Sequence, residues 1–597
     1  MPPGTRIRGN NHLFKRLAAL TLALVGAAAL ATAAPATAAT DPFQITHLGA
    51  TPTTGPYPLP VTLTATVDNP LSTQVSYSFD FGDGSAPVPS DKPVAQHTYD
   101  RASPNQPDGP SSFTARVTAT LPDGETRSAV TFVRVVEPGP TVANLHATQV
   151  GPLTVGADAF YSTDSWPITG YDFDYGDGSP AVKGDSSVGG HTYAAPGTYT
   201  ITLTIHDGHG GSATATRQIS VAGAYIAAGP QRLLDTRDGA GPLGAGGQTS
   251  VQVTGANGVP AGGVSAVVLN VTATDATADS FLTVYPSGSP NPGTSNLNFT
   301  AGQTVPNLVT APVGPDGKVV IANHAGSADV VVDLEGYYQS SPAAATGSFL
   351  DSVQPHRVAD TRDGTRVPRQ PVGANQNMYL ALGDDVPANT APGNATAVVL
   401  NVTVTNPTAD SFLTVYRDGA ATPTASNLNY RAGQTVSNLV IVPLSDRGVI
   451  AFYNHAGSAD VIADVQGYFI ASPGNWGPTT SFTPVAPSRM LDTRDGTGGF
   501  HAPVGSNASI GLPMAGVGSV PAYAKSVVLN VTVVDGTANS LLTVYPGVLS
   551  ATSNLNFGPG QIKQVQVMVP IGPDGKVDFY NGVGSVDVIA DVFGYFA

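Results

Sequence analysis

Apolar and polar residues alternate with a period of two along much of this chain, and no stretch shows the period of a helix. In Tyr199-Thr200-Ile201-Thr202-Leu203-Thr204-Ile205 the apolar side chains share one face and the threonines the other. That is the pattern of a strand with one face on a core and one in water. Tyr171-Asp172-Phe173-Asp174-Tyr175 sets three aromatics against two carboxylates, and Gly176-Asp177-Gly178 then turns the chain. An earlier segment repeats the plan: Tyr77, Phe79 and Phe81 precede Gly82-Asp83-Gly84, and Phe113, Ala115, Val117 and Ala119 alternate further on. Several short strands in such compact segments predict two Ig-like β-sandwiches, over residues 41–137 and 140–222.

Beyond residue 222 the same words occur three times. Leu234-Asp235-Thr236-Arg237-Asp238-Gly239 recurs from Ala359 and Leu491, and Val268-Leu269-Asn270-Val271-Thr272 recurs from Val399 and Val528. Ser295-Asn296-Leu297-Asn298 recurs from Ser426 and Ser553, and Asp333-Leu334-Glu335-Gly336-Tyr337 recurs from Asp464 and Asp591. The period, near 130 residues, exceeds the roughly 20–50 residues of a solenoid repeat and is domain-sized. The first copy predicts strands near 232–236, 250–254, 264–274, 281–285, 295–299, 307–313, 318–323 and 329–338, with a turn at Pro315-Asp316-Gly317. The fold class is therefore all-β. Two Ig-like sandwiches precede three eight-stranded sandwich or jelly-roll-like modules over 225–340, 348–471 and 480–597.

The first two segments resemble the polycystic-kidney-disease (PKD) domain. Its hallmark is an aromatic-x-Trp-Asp-Phe-Gly-Asp-Gly strand and turn, followed by His-Thr-Tyr and Gly-x-Tyr-x-Val. Tyr77 to Gly84 and Tyr171 to Gly178 fit it, with Phe79 and Phe173 at the Trp position and Tyr175 at the Phe position; His97-Thr98-Tyr99 and His191-Thr192-Tyr193 follow. The resemblance implies extracellular, usually non-catalytic spacers or binding modules, often found beside glycan- or protein-degrading enzymes. The three later modules resemble tandem β-modules of secreted actinobacterial proteins, a likeness that implies habitat rather than chemistry.

Composition adds a compartment. Arg6, Arg8, Lys15 and Arg16 precede the largely apolar stretch Leu17 to Leu30, and Ala36-Thr37-Ala38 offers a small-x-small cleavage site, so residues 1–39 read as an export signal. No later stretch is long and apolar enough to cross a bilayer. Without the four basic residues of the signal, the net charge of −16 becomes −20, and no basic cluster remains for nucleic acid or anionic lipid. There is no cysteine, so disulfides and thiolate metal sites are excluded. Joints at Glu137-Pro138-Gly139-Pro140, 340–347 and 471–479 contain Pro, which predicts stiff connections and an elongated monomer.

Five polar residues recur in every long repeat, each beside apolar neighbours. They are Asp235, Arg237, Asn270, Asn298 and Asp333; then Asp360, Arg362, Asn401, Asn429 and Asp464; then Asp492, Arg494, Asn530, Asn556 and Asp591. The expectation is a structural network in which Arg pairs with Asp and Asn satisfies backbone groups. A ligand or Ca²⁺ site and a catalytic site are the alternatives. Asp80, Asp83, Asp174 and Asp177 are the Ca²⁺ candidates of the first two domains, though Asp in such turns commonly caps backbone N–H groups. His324 and His455 read as turn residues, since the third copy has Gly582 in their place. Trp166 and Trp476 are candidate ligand aromatics. No metalloprotease His-Glu-x-x-His, Gly-x-Ser-x-Gly elbow or phosphate loop is present.

The expectation is a secreted, non-enzymatic, multivalent protein that needs no cofactor. It would bind extracellular or cell-envelope polymer, foremost polysaccharide, or a surface protein. An enzyme acting on glycan or peptide polymer, and a spacer or surface coat without ligand, are the alternatives. The loops that differ between copies, Ala240–Thr249, Thr365–Asn375 and Thr497–Asn507, are where a ligand face is expected.

Overall fold

The computed structural model describes residues 43–68, 74–104, 111–341, 347–383, 395–471 and 480–597, so the export signal and Trp476 lie outside the described residues. The described elements are strands, apart from a short 3-10 turn at Thr236–Asp238. The chain divides into two compact units, Met1–Pro138 and Gly139–Ala597.

The first unit is a sandwich. A three-stranded sheet of Gln44–Thr51, Leu59–Asp68 and Val94–Tyr99 faces a five-stranded sheet centred on Thr126–Val136, Phe113–Thr120 and Ser76–Asp80. The alternation does what it predicts: Phe79, Phe81, Ala115 and Val117 are buried while their neighbours are not. Gly82 opens the turn at φ 74°, where a Cβ would strike the Thr114 carbonyl, so only glycine fits. The second unit begins with the same design, its core built from Val155, Phe173, Tyr175, Tyr193, Ile201, Leu203 and Ile205. Gly223 then pairs with Phe482, and the Thr198 and Tyr523 hydroxyls lie 2.8 Å apart, which seats this domain against the third repeat.

Each long repeat is a sandwich of two four-stranded sheets. In the first, the inner sheet runs Ala224–Asp235, Asp329–Gln339, Val264–Thr274, Val305–Pro312, and the outer sheet runs Gln248–Gln252, Lys318–Asn323, Ser280–Pro286, Leu297–Phe299. The other repeats have the same order, and the Tyr225–Ser348 pairing joins two inner sheets into one of eight strands. All eight predicted strands are present; the first is longer than expected, at Ala224–Asp235. Gly336 and Gly594 recur because the inner sheet is crowded there: a Cβ would collide with the rings of Tyr225 and Phe482.

The expectation of an elongated string fails at these repeats. Their inner sheets turn their second faces toward one another and share a core: Tyr225, Val268 and Tyr338; Leu350, Val399, Ile441 and Phe469; Phe482, Val528, Met568 and Phe596. The Tyr225 and Phe469 rings stack at 4.2 Å, and those of Tyr338 and Phe482 lie 4.3 Å apart. The physical reason is the strand Val264–Thr274, buried along nearly its whole length on both faces. A sheet with two apolar faces must be covered twice. One face packs on the repeat's own outer sheet and the other on the neighbouring repeats.

The arrangement closes as a ring. Asn270 donates to the Ser426 carbonyl at 2.6 Å, Asn401 to Ser553 at 2.5 Å, and Asn530 to Ser295 at 2.7 Å, so first bonds second, second bonds third and third bonds first. The three edge strands, Val305–Pro312, Val436–Pro443 and Lys563–Pro570, meet around this pseudo-threefold axis. Two of the open edges are capped by amide side chains: Asn438 Oδ1 accepts from Leu308 N–H at 3.2 Å, Asn307 Oδ1 from Gln566 N–H at 3.2 Å, and Gln566 Oε1 from Thr310 N–H at 2.7 Å. Edges that would otherwise template aggregation are thereby consumed inside one chain.

Candidate functional site

The recurring Asp and Arg residues converge, through an arginine that the sequence reading passes over. Arg232 Nε donates to Asp333 Oδ1 at 2.6 Å and Nη1 donates to Asp235 Oδ2 at 2.8 Å. Arg237 forks onto the same Asp235 at 2.8 and 2.6 Å. Arg357 and Arg489 play the central part in the other repeats, bonding Asp464 and Asp360 at 2.9 and 3.0 Å, and Asp591 and Asp492 at 2.8 and 2.9 Å. Arg362 and Arg494 fork onto Asp360 and Asp492. The signal for the missing arginine was available: it follows Pro230, Pro355 and Pro487 by two residues in every copy.

These carboxylates are closed to substrate. The Asp235 and Asp333 side chains are 6% and 2% exposed, while the Arg237 guanidinium is 48% exposed. The bonds from Arg237 hold Asp235 below the usual carboxylate range. Burial pushes Asp333, Asp464 and Asp591 upward although each faces an arginine. A general base needs a lone pair facing the reactant, and here the oxygens face guanidinium groups. The asparagines serve structure as well. Asn270, Asn401 and Asn530 make the seam bonds, and Asn298, Asn429 and Asn556 donate to the hydroxyls of Ser295, Ser426 and Ser553 at 3.2, 3.0 and 3.3 Å.

The PKD-type carboxylates are likewise engaged. Asp80 and Asp174 each accept from a turn N–H, those of Gly82 and Gly176, at 2.9 Å. Asp83 and Asp177 hold His97 and His191 at 2.6 and 2.7 Å. The Ser179 hydroxyl and His191 bring Asp177 down to about 2. Among the described residues no group of three or more His, Cys, Asp or Glu is arranged to hold a metal. Trp166 is half-buried and stacks on His209 at 3.9 Å, and its backbone N–H donates to Asp164 Oδ1 at 3.0 Å.

The open aromatic surface lies elsewhere, on the side of the outer sheets turned away from the shared core. In the second repeat Phe412 and His455 stack at 4.6 Å with their planes 11° apart, and Tyr453 lies 6.5 Å from Phe412. The Tyr453 hydroxyl donates to Asn375 Oδ1 at 2.7 Å. On the neighbouring strand Tyr379 is 54% exposed and lines a cavity of about 230 Å³ with Pro368, Gln370 and Gln376. This cavity involves the Thr365–Asn375 loop, one of the three that differ between copies. The first repeat keeps the stacked pair as Phe281 and His324, 4.5 Å apart. The third has Leu541 and Gly582 instead, with Tyr580 retained. The two histidines do sit in turns, where they extend a ring face that sequence reasoning missed; the signal was a Phe after Ser at the start of the matching strand. Tyr285, Tyr416 and Tyr545 are packed, with hydroxyls on Gln248, Asn377 and Ser509.

Fold and surface together define an all-β, multidomain protein whose triplicated carboxylates are tied to arginines and whose outer sheets carry a group of part-exposed rings. Residues 46–134 match the PKD domain family, and residues 137–221 match it a second time through another PKD domain model, so the chain carries two tandem PKD domains. Similar solved structures include the PKD1 domain from Vibrio cholerae metalloprotease PrtV, 30% identical, covering 14% of this chain and 98% of that one with a TM-score of 0.13. The PKD1 domain of Vibrio anguillarum Epp is 31% identical and covers 14% and 96%, with a TM-score of 0.13. A longer alignment is to the Bacteroides ovatus mixed-linkage glucan utilization locus protein SGBP-B in complex with a mixed-linkage heptasaccharide. It is 13% identical and covers 69% and 94%, with a TM-score of 0.12. PKD domains are typical of extracellular proteins, and among the described residues no helix is long and apolar enough to cross a membrane.

Proposed function

We propose that this chain is an exported, non-enzymatic binding protein for extracellular or cell-envelope polysaccharide, and that its contact surface is the outward face of the repeats' outer sheets. The observation that carries the reading is the stacked Phe412–His455 pair beside Tyr453 and Tyr379. Flat rings offer a platform for the C–H faces of sugars, and neighbouring amides such as Asn377 supply hydrogen bonds that fix orientation. The pair is repeated at Phe281–His324 and lost at Leu541 and Gly582, so contact strength falls from the second repeat to the first to the third. Because the inner sheets face the axis, the outer faces point away from it in different directions. They therefore engage separate polymer strands, and avidity arises on a mesh or wall rather than along one chain.

The test is retention of the full mature chain on insoluble glycans and isolated cell walls, with and without the Phe412→Ala/His455→Ala pair of changes. Loss of about 1.4 kcal/mol of contact energy corresponds to about tenfold weaker retention. Retention unchanged by the double variant would refute this surface, and no retention on any polymer would favour a spacer or coat.

A further inference from the structure

The three edge strands that meet at the pseudo-threefold axis leave a small cavity at the end where they begin. Its volume is about 40 Å³, room for roughly three waters. Equivalent positions of the three strands supply Val305, Val436 and Lys563 to its wall. Lys563 thus puts an ammonium group where the other repeats have a methyl-bearing side chain. It is half-buried, and neither a carboxylate nor any other hydrogen-bond partner meets it among the described residues. Burial accordingly pushes the Lys563 amine below the usual lysine value.

Three glutamines of the wall present donors, beside the mixed polar groups of Thr304, Thr435, Ser437, Asn429 and Asn556. Gln303 Oε1 accepts from Thr300 N–H at 3.2 Å, Gln434 Oε1 from Arg431 N–H at 3.0 Å, and Gln564 Oε1 from Asn298 N–H at 3.0 Å. With each carbonyl end committed, the Nε2 amide of each glutamine is left as a free donor. All three glutamines line the cavity, and no Asp or Glu does.

We infer that this axial cavity is a carboxylate-binding site, built by Lys563 with Gln303, Gln434 and Gln564. Its volume admits the three heavy atoms of a carboxylate and not a sugar ring, so the ligand is the acidic tip of a larger molecule. The site lies apart from the aromatic face, and either can fail alone.

The chain has few lysines: after residue 39 they are Lys92, Lys183, Lys318, Lys525, Lys563 and Lys576. Their ¹³C-methylated amines are therefore resolvable by NMR in the full mature chain. Titration with acetate or D-glucuronate is expected to shift the Lys563 signal saturably and raise its pKa, while chloride at equal ionic strength does not. Lys563→Val copies the residue of the first two repeats, so it folds, and it is expected to abolish acetate binding measured by calorimetry. Gln303→Glu keeps the acceptor for Thr300 but replaces the free donor with an anionic oxygen, and should weaken binding at least tenfold. A stronger response to glucuronate than to N-acetylalanine assigns the carboxylate to a uronic-acid polymer, and the reverse assigns it to a peptide end; either supports the site. A Lys563 response equal for acetate and chloride, or acetate binding retained by Lys563→Val, would overturn it.

Discussion

Glu335 occupies a position where the copies differ in polarity: Gln466 and Phe593 stand in its place. Its side chain is buried in the seam, with Asn427 Nδ2 donating to Oε1 at 3.3 Å, and burial together with the neighbouring charge of Asp333 pushes its pKa well above the ordinary glutamate value. The unfolded chain titrates near 4.3. A folded-state value above that means the native state holds the proton more tightly, so this contribution is fully present below about pH 4 and is lost as pH rises toward the raised value. Glu335→Gln, which copies the second repeat, should therefore unfold like the parent near pH 4 and be more stable by roughly 1–3 kcal/mol at pH 8. Denaturant midpoints across that range check it, and a pH-independent difference would contradict it. At this scale the sequence is half-informative. Triplication exposes Asp235, Asn270 and Asp333 without any alignment, yet Asn270 bonds Ser426 in another repeat and Asp333 bonds Arg232 about a hundred residues away. No local pattern encodes partners that distant.

The inner strands explain why the elements were legible and their packing was not. Val264–Thr274 reads as a strand from its β-branched run, but Ala266-Val267-Val268-Leu269 breaks the alternation that marks a one-sided strand. That unbroken run was the available sign of a second covered face. The edge strands carry a further mark in their differences. Asn307 and Asn438 donate to Asn530 Oδ1 and Asn270 Oδ1 at 3.0 and 3.2 Å, but the third strand has Val565 there, and the corresponding acceptor, Asn401 Oδ1, is buried without a partner. An asparagine placed in an apolar core ordinarily costs roughly 1–3 kcal/mol. Val565→Asn should instead be neutral or stabilising by up to about 1 kcal/mol, because its amide completes the third seam. Val567→Asn, two residues along the same strand and buried in the same core, stands where the other repeats have Val309 and Val440 and no seam amide, and should show the ordinary cost. Thermal unfolding of both variants separates the cases, and equal destabilisation would count against the seam.

For the whole second unit, the consequence is that a repeat is not an independent bead. The stiff Pro-containing joints point toward extension, but apolar area outweighs linker stiffness: Leu350, Val399, Leu439, Ile441 and Phe469 of the second repeat lie in the shared core and have no cover within their own sandwich. Removing that repeat from its neighbours would expose this face and the open edge of Val436–Pro443. Monomeric proteins rarely tolerate such a patch, and closed rotational symmetry offers the cheapest cover. The second repeat is also equipped to meet itself, and it has the neutral Gln466 where the first has the buried Glu335. It carries both halves of the seam, the donors Asn401 and Asn438 and the acceptor carbonyl of Ser426. Residues 348–471 expressed alone should therefore assemble as a homotrimer, with a midpoint of unfolding that rises with protein concentration. Ile441→Asp should abolish the trimer, since it sets a charge into the axial core. Sedimentation equilibrium reads the outcome directly. A stable, soluble monomer would show that the inner face does not depend on its neighbours, and the ring would then be a convenience of tethering rather than the reason for the triplication.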